Sequence, residues 1–184
     1  MSFRERWIAL LHRAATGTRR TRSLLTPIGV AIFGMVVATF IAAALLVDSL
    51  LGLPGLLPES ARRLVSLPLI GLGGLVTLWS AAHFLNAKGT PVPFNPPPTL
   101  VTSGPYRYAR NPMLAGVFLI LLGLGLLLGS PTLVVVFVPL FVAINVWELR
   151  RIEEPELVQR LGDEYIEYRR RTPMFLPRLW RWRS

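Results

Sequence analysis

The chain has 184 residues, of which 52% are hydrophobic and only 16% are charged, and its net charge is +10. A soluble domain carries roughly 25% charged residues, so this composition and the mean hydropathy of +0.50 predict one membrane-embedded domain. The absence of cysteine from the chain excludes disulfides, a thiol nucleophile and thiolate metal sites. The two histidines, His12 and His83, lie far apart in the sequence, and we expect no metal site.

The first 23 residues form a basic segment with six arginines and one glutamate. Residues 3–15 fit an amphipathic helix in the membrane interface, with Phe3, Trp7, Leu10 and Leu11 on its apolar face. A frayed basic tail is the alternative interpretation. A nucleic-acid binder can carry such a charge, but a cytoplasmic flank that obeys the positive-inside rule is the simpler explanation. We therefore expect no nucleic-acid partner.

Four uncharged runs predict an all-α fold, a polytopic membrane bundle within residues 24–147. The predicted spans are about residues 24–47, 64–85, 113–129 and 132–147. The hydrocarbon core of a bilayer is about 30 Å thick, which about 20 helical residues cross. The last two spans form a hairpin, because Gly129-Ser130-Pro131 interrupts an otherwise continuous uncharged run.

An even number of spans places both termini on the same side of the membrane. The basic residues 1–23, and the nine arginines of residues 149–184, predict that this side is the cytoplasm. The loop at residues 86–112 then also lies in the cytoplasm, and residues 48–63 lie outside. None of the predicted spans contains Lys, Arg, Asp or Glu, which argues against an ion-coupled transporter.

The cytoplasmic loop at residues 86–112 has five prolines in eight residues, which predicts an extended chain. Asn111 is a favourable N-cap and Pro112 a favourable first helical residue, so the third span should begin there. The free N–H groups of that helix end, with the guanidinium of Arg110 beside them, would bind a carboxylate or a phosphate. Alternatively, the arginines and tyrosines of this loop are interfacial anchors.

Residues 148–184 should add a cytoplasmic helix and tail. Four apolar or aromatic residues recur there at helical spacing: Leu157, Leu161, Tyr165 and Tyr168. Two acids, Glu153 and Glu154, lie just before this helix in the sequence, about two helical turns after the end of the fourth span. They either neutralise Arg150 and Arg151 or face a ligand.

The predicted hairpin brings the start of the third span beside the end of the fourth. Arg110, Asn111, Glu153 and Glu154 should therefore share one cytoplasmic corner. This corner would offer donors for a carboxylate and acceptors for an ammonium group. Such a charge pattern suits a ligand that carries a free amino-acid group.

Two glycine patterns lie inside predicted spans, Gly71-Leu72-Gly73-Gly74 and Gly123-Leu124-Gly125 with Gly129. Neither follows a strand, so neither matches a dinucleotide-binding fingerprint. Small residues within spans commonly mediate contacts between helices, and this interpretation covers both patterns.

Two ordered motifs resemble the membrane methyltransferases that include isoprenylcysteine carboxyl methyltransferase and phosphatidylethanolamine N-methyltransferase, in particular their small bacterial relatives. The first motif, similar to an R-H-P-x-Y-x-G signature, consists of Gly104-Pro105-Tyr106-Arg107-Tyr108, Arg110-Asn111-Pro112 and Gly116. The second, similar to an E-E-x-x-L…G-x-x-Y-x-x-Y-x-x-R-x-P tail, consists of Glu153-Glu154, Leu157, Gly162, Tyr165, Tyr168, Arg171, Pro173 and Pro177. The resemblance covers residues 64–179 and is strongest from residue 89 onward.

The resemblance implies a cofactor, S-adenosylmethionine, bound by a helical membrane bundle in the bacterial inner membrane. It implies that Glu153 and Glu154 hold the amino group of the cofactor, and that Arg110 and its helix end, with Asn111, Pro112 and Gly116, hold the carboxylate. Leu100, Val101 and Tyr106 would line the adenosine, and Gly71 and Gly73 would correspond to a G-x-G in an upstream span of the lipid methyltransferases. Arg171, with Glu154 and Asn111 as further catalytic candidates, would face a lipid-like acceptor drawn from the membrane lipids.

Two residues depart from the family pattern. Asn111 stands in place of the signature histidine, which argues against a histidine base, and Leu114 stands in place of a tyrosine, which removes one hydroxyl from the cofactor site. The acceptor could present a carboxylate, an amine or a thiol, and the residues are compatible with a monomer or an oligomer. Two alternatives remain: a non-catalytic four-span protein, such as a structural subunit or small transporter, and a family member that binds cofactor without turnover.

Overall fold

The computed structural model describes residues 19–89 and 97–175, with the backbone alone for residues 19–26. The predicted interfacial helix at residues 3–15, most of the proline-rich stretch and the tail from residue 176 lie outside the described residues. Throughout the described part of the chain the regular elements are helical and none is a strand, which confirms the all-α prediction.

Within residues 19–89 and 97–175, six α-helices follow one another, together with one 3₁₀ turn and two π-helical turns. The helices are α1 (Arg19–Leu51), α2 (Glu59–Asn86), α3 (Pro112–Leu128), α4 (Val138–Glu148), α5 (Glu154–Leu161) and α6 (Asp163–Arg171). A 3₁₀ turn occupies Gly104–Arg107, and π-helical turns occupy Leu133–Phe137 and Leu149–Glu153.

Three helical segments are long and apolar enough to cross a membrane, namely Pro27–Leu51, Glu59–Asn86 and Leu133–Leu161. The apolar helix α3 is shorter, at 17 residues, and pairs with α2 along its length. The chain is thus an integral membrane protein by the length and composition of its helices. The first helix continues beyond the predicted span to Leu51, so Asp48 is a helical residue and not part of a loop.

The last long helical segment runs from Leu133 to Leu161 through two π-helical turns. Each π turn ends two residues before a proline, Pro139 in the first case and Pro155 in the second. Proline donates no hydrogen bond and its ring collides with the carbonyl four residues earlier, so a wide turn lets the helix continue past it. The second wide turn therefore carries the helix without a break from the membrane to the acidic pair Glu153 and Glu154.

Helices α2 and α3 pack against each other in antiparallel directions at very short range. A Cβ atom added to Gly73 would lie 2.5 Å from the carbonyl oxygen of Gly116, and one added to Gly123 would lie 2.7 Å from the side chain of Ile70. Gly125 likewise packs on Val134 of the following helical segment. The contact interpretation of the glycine patterns therefore accounts for Gly73 and Gly125.

The hairpin turn between α3 and the next helical segment is closed by Asp48 of α1. Gly129 ends α3 with a φ of +66°, a conformation that glycine adopts without a steric cost. The Asp48 carboxylate accepts hydrogen bonds from the Ser130 hydroxyl and from the backbone N–H of Thr132, the latter at 3.1 Å. The Ser130 Oγ in turn accepts the N–H of Leu133 at 3.1 Å. The carboxylate of Asp48 on α1 thus caps the N-terminus of the helical segment that follows the hairpin turn.

Replacing Asp48 by alanine should lower the free energy of unfolding by about 1 to 3 kcal/mol, because the buried donors of Ser130 and Thr132 lose their acceptor. Thermal unfolding followed by circular dichroism in detergent micelles would measure this change. Ser49→Ala is the control, because Ser49 is the exposed neighbour of Asp48. Equal melting temperatures for the two variants would contradict the capping role.

Candidate functional site

An ion pair between Arg110 and Glu154 joins the two polar blocks of the sequence. Arg110 lies just before α3 and Glu154 begins α5, and each side chain is only 11% exposed. Arg110 Nη1 also donates to the hydroxyl of Tyr165 at 3.3 Å, and Arg169 Nη1 lies 3.6 Å from the second oxygen of Glu154. The Glu154 carboxylate therefore lies between two guanidinium groups, which fix its orientation.

The backbone around Arg110 is held by the chain that follows α6. The N–H of Arg110 donates to the carbonyl of Pro173 at 2.8 Å, and the N–H of Asn111 donates to the carbonyl of Met174 at 2.9 Å. Asn111 occupies the N-cap position of α3, as predicted, but its side chain makes no capping hydrogen bond. The first N–H groups of α3 are therefore left without that cap beside the Arg110 guanidinium.

The guanidinium of Arg110 retains one unused donor. Its Nε atom is buried and has no hydrogen-bond partner among the described residues. A buried donor without a partner carries a desolvation cost, which a bound acceptor would remove. Arg110 and the adjacent end of α3 thus have the donors that a carboxylate requires.

Glu153, next to Glu154, has a different environment. Its carboxylate makes no hydrogen bond or ion pair within the described ranges 27–89 and 97–175, although it lies within electrostatic reach of Arg160 and of three acids, Glu148, Glu154 and Glu156. Neither Glu153 nor Glu154 pairs with Arg150 or Arg151 in that part of the chain. The alternative that this acidic pair neutralises the neighbouring arginines is therefore wrong for Glu154, whose partners are Arg110 and Arg169.

Three tyrosines fix the 3₁₀ turn and α6 to the bundle. The Tyr168 hydroxyl donates to the carbonyl of Tyr106 at 2.7 Å, and the Tyr106 ring stacks on Phe84 at a centroid distance of 4.8 Å. Burial raises the pKa of Tyr106 and of Tyr168 well above the ordinary value. Burial, together with the nearby Glu154 carboxylate, raises the pKa of Tyr165 to about 12. These hydroxyls stay protonated at neutral pH and act as hydrogen-bonding groups, not as bases.

The burial of the tyrosines also decides between the two interpretations of the loop aromatics. Tyr106 is 3% exposed and belongs to the protein core, whereas Tyr108 is 45% exposed and fits an interfacial anchor. Tyr165 and Tyr168 are buried as well, so the aromatic face of α6 packs on the protein itself.

The remaining predicted site residues fall into two groups. Leu100 and Val101 are half-buried in the irregular segment that leads to the 3₁₀ turn, and Pro112 is the buried first residue of α3. Away from the corner, Gly73 and Gly116 contact each other, and Gly71 faces open space. Arg171 is exposed, and its Nε lies 3.6 Å from a carboxylate oxygen of Glu167.

Sequence reasoning missed two members of the corner, Arg169 and the hydroxyl of Tyr165. The helical spacing predicts that Tyr165 lies on the apolar face of its helix, and no motif distinguishes Arg169 from the other arginines of α6. No spacing rule points to either contact, because Glu154 and Arg169 belong to different helices separated by the turn at Gly162.

The fold and this corner define a class of protein, a helical membrane protein in which paired charged residues lie together at one end of a helical hairpin. The family model described as phospholipid methyltransferase matches residues 61–164. The chain therefore belongs to the phospholipid methyltransferase family.

Three curated proteins are similar to parts of this chain, one of which is named as a methyltransferase. The nickel-cobalt-cadmium resistance protein NccN of Alcaligenes xylosoxydans is 32% identical over 146 residues, 79% of this chain and 56% of that protein. The cobalt-zinc-cadmium resistance protein CzcN of Cupriavidus metallidurans is 33% identical over 110 residues, 60% of this chain and 46% of that protein. Mouse protein-S-isoprenylcysteine O-methyltransferase is 37% identical over 83 residues, 43% of this chain and 28% of that protein.

The chain spans about half or less of the length of these relatives. No solved structure gave a significant match. Although two relatives are named for metal resistance, residues 19–89 and 97–175 contain no group of three His, Asp or Glu side chains that could hold a metal ion.

Proposed function

We propose that this protein is an S-adenosylmethionine-dependent methyltransferase that methylates a lipid-like acceptor at the cytoplasmic face of a bacterial inner membrane. The observation that carries the proposal is the pairing of Arg110 with Glu154 beside the Glu153 carboxylate, which has no hydrogen bond or ion pair within the described part of the chain, in a member of the phospholipid methyltransferase family. Membership of the family favours an enzyme over a structural subunit or transporter.

The proposed cofactor fits the charges of the corner. S-adenosylmethionine carries an ammonium group and a carboxylate on the same carbon. Glu153 and Glu154 would accept from the ammonium, and Arg110, with the N–H groups at the start of α3, would donate to the carboxylate. Asn111 and Pro112 would set the position of that helix end, and Leu100, Val101 and Tyr106 would contact the adenosine.

When bound, S-adenosylmethionine would supply a sulfonium methyl group: an acceptor lone pair would form a bond to the methyl carbon in line as the C–S bond breaks, and S-adenosylhomocysteine would leave with that electron pair. Such a displacement depends on alignment and on exclusion of water more than on an acid or base. The described residues suit this demand, because the tyrosines near the corner are protonated hydrogen-bond donors and Asn111 replaces a titratable histidine. The acceptor would enter from the bilayer between helices, and both termini would lie in the cytoplasm with the basic flanks.

Transfer of radiolabel from methyl-labelled S-adenosylmethionine into a total lipid extract tests the proposed function. Membranes that contain the protein should label a lipid-soluble product, and membranes from cells without the gene should not. The chemical stability of the label in base separates esters from amines and thioethers. No labelled product, and no binding of cofactor at millimolar concentration, would refute the proposal.

We propose that the guanidinium of Arg171 contacts the acceptor, at a carboxylate or a phosphate group of the acceptor. Its exposed side chain and weak contact with Glu167 leave the guanidinium available for this role. Arg171→Ala should lower turnover about tenfold or more, the effect of losing one charge-assisted hydrogen bond, with little change in cofactor affinity. Arg170→Ala is the matched control, because Arg170 pairs with the same glutamate. If Arg171→Ala abolished cofactor binding, Arg171 would belong to the cofactor site instead.

A further inference from the structure

A second buried ion pair lies on α5, one and a half turns beyond the acidic pair. Arg160 Nε donates to Glu156 Oε1 at 3.0 Å, and the two side chains are 14% and 7% exposed. Arg160 Nη1 also donates to the carbonyl of Pro97 at 3.1 Å, across 63 positions of sequence. A solvent-exposed pair at this spacing would contribute little, but a desolvated guanidinium that bonds two partners holds both of them in place.

Pro97 lies against the end of α2. Gly89, just after α2, packs so closely on Pro97 that an added Cβ would overlap the backbone of Pro97. Arg160 attaches this contact between Gly89 and Pro97 to α5. Proline-rich backbone forms no regular hydrogen-bond ladder, so its carbonyls are available to a side-chain donor.

The chain from Pro97 to Arg110 is thus attached to one short helix at both of its ends. The carbonyl of Pro97 accepts a hydrogen bond from Arg160, and the guanidinium of Arg110 pairs with Glu154. The two anchor points on α5 are six residues apart, which is about 9 Å along the helix. Between them the chain carries Leu100, Val101 and the 3₁₀ turn with Tyr106.

We infer that Arg160, oriented by Glu156, is a positioning residue that sets the distance of the chain at 97–106 from α5 and so shapes the nucleoside end of the cofactor site. This inference rests on the proposed function. Glu154 would control the amino-acid end of the site and Arg160 the opposite end, through separate contacts on the same helix.

The test compares Arg160→Met and Arg160→Lys with the control Arg170→Met in the full-length protein in detergent micelles. The probes are S-adenosylhomocysteine and 5′-methylthioadenosine, which lacks the amino-acid group. Arg160→Met should lower the affinity for both ligands by the same factor, about tenfold. The substitution removes the charge-assisted bond between Arg160 and the Pro97 carbonyl, which holds the chain next to the adenosine that both ligands share. Arg160→Lys should show an intermediate loss, because lysine keeps the charge but cannot bond Glu156 and Pro97 with one planar fork.

A second measurement does not depend on any ligand. The chain lacks cysteine, so spin labels can be placed on cysteines introduced at the exposed positions Thr99 and Gln159. The distance distribution between the labels should be narrow with Arg160 present and broad in Arg160→Met. A distribution as narrow in Arg160→Met as in the parent would overturn the inference, and so would affinities within about twofold of the parent for both ligands.

The ligand affinities of the parent protein distinguish a failure of the proposed function from a failure of the positioning inference. If the parent protein bound neither ligand, the cofactor proposal would fall and the positioning of a cofactor site with it, whatever the label distances were. If the parent bound both ligands and Arg160→Met did so equally well, the positioning inference alone would fall.

Discussion

Replacing Glu154 by glutamine should raise the dissociation constant for S-adenosylmethionine by about tenfold to a hundredfold, the effect expected from removing one charge-assisted contact with an ammonium group. Glutamine has the shape of the native side chain and can still accept a hydrogen bond from Arg110, so the corner should keep its geometry. Isothermal titration calorimetry in detergent micelles would measure the affinity, and circular dichroism would verify the helical content.

The matched control is Glu167→Gln on α6, because Glu167 also pairs with arginines but lies on the exposed side of that helix. 5′-Methylthioadenosine adds a control on the ligand side, since it has no ammonium for Glu154 to bind. Its affinity should be unchanged in Glu154→Gln. A parallel loss of both ligands would mean that the substitution disturbs the whole corner and not one contact.

Glu153→Gln tests the contact with the cofactor without changing the stability of the folded protein. Glu153 has no hydrogen bond or ion pair among the described residues, so glutamine should cost the folded protein nothing there. Arg110→Ala is a harsher change, because it leaves the buried Glu154 with only the more distant Arg169. An affinity for S-adenosylmethionine that is unchanged in both Glu153→Gln and Glu154→Gln would remove the acidic pair from the cofactor site.

Replacing Gly116 by leucine should lower the free energy of unfolding by about 3 kcal/mol or more, because there is no space for a side chain between α2 and α3. An added Cβ would overlap the Thr77 hydroxyl and lie 2.6 Å from the carbonyl oxygen of Gly73. Both neighbours belong to α2, and backbone atoms of a packed helix do not move independently. Thermal unfolding in detergent micelles would measure the loss.

Gly71→Ala is the opposite case on α2, because Gly71 lies two residues from Gly73 and therefore faces away from α3. No atom lies within 4 Å of an added Cβ at Gly71, and alanine is the better helix former by about 1 kcal/mol. This variant should therefore be as stable as the parent or more stable. If Gly71→Ala nevertheless abolished cofactor binding, the predicted role of Gly71 in the cofactor site would be supported by a readout independent of packing.

Much of the architecture could be predicted because its signals are local. The apolar runs and the Gly129-Ser130-Pro131 break predict helices in nearly the places where the structure has them, and Pro112 marks the first residue of α3. The shared corner of Arg110 and Glu154 also follows from the hairpin. Asn111 occupies the predicted N-cap position of α3, but its side chain makes no capping hydrogen bond. The backbone N–H groups of Arg110 and Asn111 donate to the carbonyls of Pro173 and Met174, contacts between distant parts of the chain that no local signal encodes.

The amino-acid sequence by itself determined that this protein is an α-helical membrane protein of a methyltransferase family, since apolar length, breaks and motif residues are properties of neighbouring positions. Only the tertiary structure decided the partners of each charge: Arg110 and Arg169 for Glu154, and Pro97 for Arg160. The physical reason lies partly in the π turn at Leu149–Glu153, since one extra residue in a helix rotates everything after it by about 100°. The face that α5 presents therefore depends on a turn that the helical spacing of its residues does not encode.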